Sequence, residues 1–247
     1  MNNKSFPSFR PNHPASSQVI KPVARAEIVV RSGIHELDRL LGGFKAGQLT
    51  YIDGDSALIK TIPNQLSVQT YRTFNSDTLY LDGGICADPY AIARYARLLD
   101  VDQRAVLGRV HISRAFTVYQ LSMMIEQVLE HEIQRYAPRT LIIGRFPALY
   151  LDPDVPAAEA QHLLQNNLQK LQQLALSYNL IAVLTNVERR LYSNEIRRQI
   201  ESQVHQTVRM RYIEPCTYVD AINTHRSITI LTGAGGQLQL EHFGMVM

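Results

Sequence analysis

Residues 49–61 read LTYIDGDSALIKT, an apolar run followed at once by a short turn and a Lys-Thr pair. The apolar run 49–54 predicts a buried strand, and the pattern after it predicts a helix that begins near Lys60. A glycine-bearing turn between a strand and a helix is a usual place for a phosphate loop, because amides at a helix N-terminus point toward an anion. The stretch therefore predicts a strand–loop–helix unit of an α/β protein.

The turn matches the phosphate-loop pattern Gly-x-x-x-x-Gly-Lys-Ser/Thr only in part. Gly54, Lys60 and Thr61 stand at three of its positions, and Ile59 replaces the second glycine. In a working loop the amides wrap the phosphates, the lysine reaches their oxygens and the hydroxyl holds Mg²⁺. A β-branched residue at position 59 disfavours positive φ and fills space that the phosphates need. We predict a degenerate nucleotide site that requires no cofactor, although Lys60 and Thr61 could still bind ATP or ADP weakly.

Outward from this unit, short apolar runs alternate with longer amphipathic stretches. Four further strands are predicted at residues 78–82, 109–113, 140–143 and 180–185. Helices are predicted at residues 89–99, 119–136 and 157–178. Such alternation indicates a mostly parallel sheet with helices on both faces. Short strands close together at 207–212, 218–222, 227–231 and 238–240 predict an antiparallel run at the C-terminal end.

The bulk composition bounds the remaining possibilities. Residues 1–26 hold Lys4, Arg10, Lys21 and Arg25 but no acid, so we predict a disordered basic arm before one core domain, residues 27–247. No apolar run is long enough to span a membrane, and no secretory h-region is present. Two cysteines without metal-ligand spacing indicate a cytoplasmic protein without a metal site, and no catalytic nucleophile–base pair can be read.

A family resemblance strengthens the α/β interpretation. Residues 32–43 (SGIHELDRLLGG) and 47–54 (GQLTYIDG) resemble the lead-in to the phosphate loop of RecA-superfamily ATPases. The order of the segments from 79–82 to 114–116 is most similar to the archaeal recombinase RadA and its paralogues. The resemblance covers residues 27–247 and implies a RecA-like P-loop fold.

The resemblance also implies where the ATPase machinery should stand, and those positions have changed. Gly84 stands where the family has its catalytic Glu, and Gly144 stands where it has the Walker B Asp. The family's Thr-Asn-Gln sensor is matched at Thr185 and Asn186 but not at the third position, where Val187 stands. Without these carboxylates nothing polarises the attacking water or anchors Mg²⁺. We expect a pseudo-ATPase with no catalytic residues.

Two loops of the recombinase family face DNA, and they correspond to residues 145–158 and 187–206. The first carries acids at Asp152 and Asp154, which oppose phosphate binding. The second supplies the DNA-binding candidates Arg189, Arg190, Arg197, Arg198 and Tyr192. Alternatively, Asn194–Gln203 forms an exposed helix on which Glu and Arg three residues apart simply pair.

Two functional hypotheses follow. The first is an inactive RadA-like paralogue that assists DNA recombination or repair, with single- or double-stranded DNA or an active RadA/RecA-type recombinase as its partner. The second is a RecA-fold interaction or regulatory module that docks on proteins, its own copies included, without DNA. A true ATPase with a rearranged site ranks behind both. None of the three requires a membrane.

Overall fold

The computed structural model describes residues 27–187 and 194–232. Its strands are β1 (Val29–Val30), β2 (Phe44–Lys45), β3 (Gln48–Gly54), β4 (Thr78–Asp82), β5 (Val110–Arg114), β6 (Thr140–Gly144), β7 (Ile181–Asn186), β8 (Gln206–Ile213), β9 (Cys216–Ala221) and β10 (Arg226–Leu231). Its α-helices are α1 (His35–Leu41), α2 (Leu58–Phe74), α3 (Pro89–Leu98), α4 (Gln103–Leu107), α5 (Val118–Met123), α6 (Leu129–Tyr136), α7 (Ala157–Ser177) and α8 (Asn194–Gln203). The predicted arm, residues 1–26, and the predicted strand at 238–240 lie outside the described residues.

Eight strands form one sheet in the order β10-β9-β8-β3-β7-β6-β4-β5. The five strands predicted for the parallel part, β3 to β7, pair in parallel, which confirms the α/β fold class. At the C-terminal end, β9 pairs antiparallel with both β8 and β10, as predicted. The terminal run joins the sheet because β8 also pairs in parallel with β3, a contact that the local sequence pattern does not indicate.

Helices cover both faces of the parallel strands, so these strands carry apolar residues on both sides. On one face, α1 and α2 pack on β3 and β8 through a cluster that includes Leu37, Ile52 and Ile62. On the other face, α5 to α8 pack on the sheet through a cluster that includes Leu121 and Leu168. The carboxyl ends of the parallel strands meet at one edge, where ligand sites of α/β sheets lie.

The segment that carries the family resemblance, residues 32–43, is fixed by one carboxylate. Asp38 on α1 accepts hydrogen bonds from the amides of Ser32 (2.7 Å) and Gly33 (3.0 Å) and from the Ser32 hydroxyl (2.9 Å). Burial raises the pKa of Asp38, and the bonds from Ser32 and Gly33 oppose that rise. The motif thus supplies its own cap for the turn before α1.

The predicted helix 119–136 is interrupted by a π-helical turn, Met124–Val128, between α5 and α6. The apolar spacing within 119–136 predicts that Val128 shares one buried face with Leu121, Ile125, Leu129 and Ile133; those four are buried, but Val128 is 39% exposed, so the prediction is wrong for Val128. Residues spaced by four drift about 40° per step around an α-helix. A π-turn offsets this drift and rotates Val128 outward.

Candidate functional site

The loop after β3 is shorter than a phosphate loop needs. Helix α2 begins at Leu58, not near Lys60 as the sequence predicted, and Ala57 already has helical φ and ψ of −59° and −22°. The amide of Leu58 contacts the Ser56 hydroxyl (3.3 Å), and the amide of Ile59 bonds the Ser56 carbonyl (3.2 Å). The amide of Lys60 bonds the Ala57 carbonyl (3.1 Å). These loop amides are satisfied within the chain, so they are not directed at an anion.

Buried hydroxyls fasten this loop to the C-terminal strands. The Ser56 hydroxyl lies 3.0 Å from the Thr217 hydroxyl on β9, which lies 3.3 Å from that of Thr232. All three residues are buried. The loop is therefore part of the packing between α2 and the sheet.

The side chain at the second-glycine position belongs to the hydrophobic core. Leu58 and Ile59 are both fully buried, in the cluster that joins α2 to β3 and β8. A glycine at position 59 would remove the packing of this side chain. A phosphate bound at the same point would have to displace the side chain. The core therefore occupies the space that the phosphate-loop pattern leaves for a ligand.

The remaining residues of the degenerate site, Gly54, Lys60 and Thr61, have different surroundings. Gly54 ends β3, Lys60 is exposed, and the half-buried Thr61 donates its hydroxyl proton to the Ala57 carbonyl (3.3 Å). Pro63 is the sixth residue of α2 and therefore lies inside the helix, because α2 begins at Leu58. Of Lys60 and Thr61, only Lys60 has an exposed side chain.

Glycines, Gly84 and Gly144, stand at the two positions that should bear carboxylates, and the neighbouring residues close in around them. The amide of Gly83 bonds the Gly144 carbonyl (3.0 Å), which closes the turn after β4 onto the end of β6. A β-carbon at Gly84 would collide with the side chain of Arg145. A β-carbon at Gly144 would lie 3.1 Å from the Tyr80 ring. The space is thus filled by an arginine and a tyrosine where the family resemblance places two acids.

Asp82 at the end of β4 has a structural role. It accepts hydrogen bonds from the amides of Gly84 (3.2 Å), Cys86 (2.8 Å) and Ala87 (3.2 Å), and it lies 3.5 Å from the Arg114 guanidinium. Asp82 is 1% exposed. Its carboxylate therefore caps the following turn, and its oxygens are already engaged with amides and an arginine.

The first predicted DNA-facing segment packs on the core along its first half. Phe146 and Tyr150 are buried against α7, and the Phe146 amide bonds the Thr185 carbonyl (3.0 Å). The Tyr150 hydroxyl accepts a hydrogen bond from Asn167 (2.7 Å), and burial raises the pKa of Tyr150. These contacts fix the segment in place. Of its two acids, Asp154 is exposed and Asp152 is half-buried.

The second predicted DNA-facing segment contains α8, which confirms the helix predicted at Asn194–Gln203. That helix is not simply a solvated face, because Ile196 and Ile200 are buried against the core. Arg198 is exposed, whereas Arg197 is half-buried. Arg189, Arg190 and Tyr192 lie outside the described residues. Of the five predicted DNA contacts, the structure therefore places one outward and one partly inward.

Comparison with known protein families matches residues 24–195 to Rad51. This covers more than half of the chain, including the phosphate-loop segment and both helical layers. The chain belongs to the Rad51 family. Its Rad51 domain is thus a recombinase-like domain of the RecA superfamily, and the eight-stranded sheet agrees with that fold.

Within residues 27–187 and 194–232, no three His, Cys, Asp or Glu side chains are grouped so that they could hold a metal ion. Among the helices of the same residues, none is long and apolar enough to cross a bilayer.

Proposed function

We propose that this Rad51-family protein does not hydrolyse ATP and that it assists DNA recombination or repair, as a RadA-like paralogue that contacts DNA or docks on an active recombinase. The observation that carries this proposal is the closed loop 55–60. The amides of residues 55, 58, 59 and 60 bond to chain atoms, and Ile59 fills the position of the second glycine. Phosphoryl transfer depends on positioning and charge stabilisation, both of which this loop lacks.

The glycines at 84 and 144 support the same proposal. Inserting an acid at either position requires Arg145 or Tyr80 to move, because both side chains already occupy the adjacent space. The absence of an acid at these positions thus coincides with packing that leaves no space for one. A site that had lost only one carboxylate would keep the space for it.

Phosphate release and nucleotide binding test the proposal directly. Full-length protein is incubated with ATP and Mg²⁺, with Lys60→Ala as the matched control. We expect phosphate release equal in both proteins and equal to background. Release that is abolished by Lys60→Ala would overturn the proposal and establish an ATPase with a rearranged site.

The DNA half of the proposal rests on Arg198 and on the family's use of the segment after β7. Fluorescence anisotropy with a labelled single-stranded oligonucleotide, and with its duplex, measures it. We expect binding that weakens as salt rises, because phosphate contacts release counterions. Absence of salt-sensitive binding at low ionic strength would refute this half.

A docking role without DNA is the second candidate, and the segment after β6 favours it. Phe146 and Tyr150 hold this segment on the core, and the exposed Asp154 repels phosphate. Under this alternative, the protein co-elutes with a purified active recombinase, or with itself, in size-exclusion chromatography while anisotropy stays flat. A monomer that binds neither would exclude it.

A further inference from the structure

Three charged side chains connect the strand before the phosphate-loop segment to α8. Glu201 Oε1 on α8 lies 2.6 Å from an Arg209 guanidinium nitrogen on β8, and Arg209 Nε lies 3.3 Å from Asp53 Oδ1 on β3. The exposed fraction of the side chain is 1% for Asp53, 20% for Arg209 and 27% for Glu201. A carboxylate as buried as that of Asp53 needs a cation beside it. Arg209 meets this need and in turn binds α8.

A fourth charge, Arg197, acts on the same group. It lies four residues before Glu201 and so on the same side of α8. Burial raises the pKa of Asp53, and the charges of Arg209 and then Arg197 oppose that rise. Arg197 is half-buried, while its neighbour Arg198 is exposed.

The opposite edge of α8 is held by apolar contacts. Ile196 and Ile200 are buried in the cluster that contains α7, and Val204 follows them. Gln199 donates a side-chain hydrogen bond to the carbonyl of Gln161 on α7 (3.2 Å). Apolar contacts keep the helix on the core but tolerate rotation and sliding, whereas ion pairs with good geometry do not.

We propose that Asp53, Arg209 and Glu201 form an ion-pair relay that positions α8 without any nucleotide and thereby presents Arg198 to a partner. The positioning claim stands on the contacts within the chain, and only the role of Arg198 rests on the proposed function. Every charge in the relay comes from the protein. Asp53 directly precedes Gly54, so the relay joins α8 to the base of the loop that would hold phosphates in an active ATPase.

A relay of this kind acts on geometry more than on overall stability. Desolvation offsets much of the Coulomb attraction of a partly buried ion pair, so the pair as a whole adds little to global stability, whereas neutralising one partner leaves the other charge partly unpaired. The effect of the relay is measured by how readily α8 opens locally. Hydrogen exchange measures such opening residue by residue or peptide by peptide.

The test compares Glu201→Gln with Glu195→Gln in the full-length chain. Both remove one charge from α8, but Glu195 is exposed and is not part of the relay. We expect exchange of the α8 amides to be faster by about tenfold in Glu201→Gln, since a charge-assisted hydrogen bond becomes a neutral one, and by only about twofold in Glu195→Gln, whose charge acts on the helix N-terminus alone. Equal exchange in the two variants would overturn the relay. So would slower α8 exchange in the unmodified protein when ATP and Mg²⁺ are added.

A third variant keeps the proposal testable from the sheet side. Asp53→Asn retains the shape of the buried group, and we expect it to raise α8 exchange as well, although β3 and not α8 carries the change. No effect on α8 would contradict a relay through Arg209. These measurements use the protein alone, so the relay can fail while DNA binding is observed, and DNA binding can be absent while the relay holds.

Discussion

The carbonyl oxygen of Met210 on β8 occupies the space that a β-carbon on Gly54 would need. The two residues are paired in the parallel register of β3 and β8, and Gly54 has φ of 142°, where other residues are strained. The amide of Asp55 then bonds the same carbonyl (3.1 Å). The first glycine of the phosphate-loop pattern is thus required by the approach of two strands, whether or not a phosphate binds.

Substitution of Gly54 by alanine tests this assignment. We expect Gly54→Ala to lower the free energy of unfolding by about 3 kcal/mol or more, through backbone strain and displacement of β8. Gly42→Ala is the matched control, because Gly42 also has positive φ (74°) but no atom within 4 Å of an added β-carbon. It should cost about 1 kcal/mol. Urea unfolding followed by circular dichroism measures both, and equal losses would contradict the steric explanation.

Much of the parallel sheet is predictable from the sequence because buried strands such as β4 and β6 each contain a continuous apolar run, residues 79–81 and 141–143. Helix α2 shows the limit of such prediction. The phosphate-loop pattern suggested a start near Lys60, but burial of Leu58 and Ile59 extends the helix backward to Leu58. A short stretch of sequence does not show that a side chain packs against strands far along the chain.

Restoring the second glycine should not restore an ATPase. Ile59→Gly removes a fully buried side chain and adds a glycine inside α2, so we expect a loss of about 4 kcal/mol in the free energy of unfolding. Ile59→Val, the matched control, should cost about 1 kcal/mol. Neither should release phosphate from ATP above background. A soluble, folded Ile59→Gly protein that hydrolyses ATP would contradict the importance of Gly84 and Gly144.

The pH dependence of stability tests the burial of Asp53. Burial raises its pKa above the ordinary value of 3.8, although Arg209 and Arg197 oppose the rise. The folded protein then holds a proton that the unfolded chain has already released, so stability from this group is present below pH 3.8 and is lost as pH rises through the raised pKa. Asp53→Asn lacks this titration.

Urea unfolding of the unmodified protein and of Asp53→Asn, from pH about 3.5 to about 7, measures the effect. The free energy of unfolding of the unmodified protein minus that of Asp53→Asn should fall with rising pH and then level off. Titrations shared by the two proteins cancel in this difference. A difference that grows with pH would mean that the arginines outweigh burial and that the pKa of Asp53 is lowered.

The candidate site was harder to predict than the fold, since its polar contacts join distant segments. The sequence treats Arg197 and Arg198 as equivalent, yet Arg197 is half-buried and its charge acts on Asp53, while Arg198 is exposed. One interpretation of the sequence paired the glutamates of α8 with arginines on the same helix. In the structure, Glu201 Oε1 instead lies 2.6 Å from a guanidinium nitrogen of Arg209 on β8. Pairings between a helix and a strand follow from the sheet order, which no short window of sequence contains.

The two arginines on α8 should therefore differ in how they affect DNA binding, if the proposed DNA contact holds. Arg198→Ala removes an exposed charge, so we expect weaker binding and a smaller dependence of log affinity on log salt, by about one unit of slope. Arg197→Ala removes a charge that faces Asp53, so we expect the salt slope to stay near that of the unmodified protein while α8 amides exchange faster. Anisotropy titrations over a salt series and hydrogen exchange separate these outcomes. If both substitutions lower the salt slope equally, Arg197 also contacts phosphate in the complex. The side chain of Arg197 then binds DNA in a position other than its half-buried one.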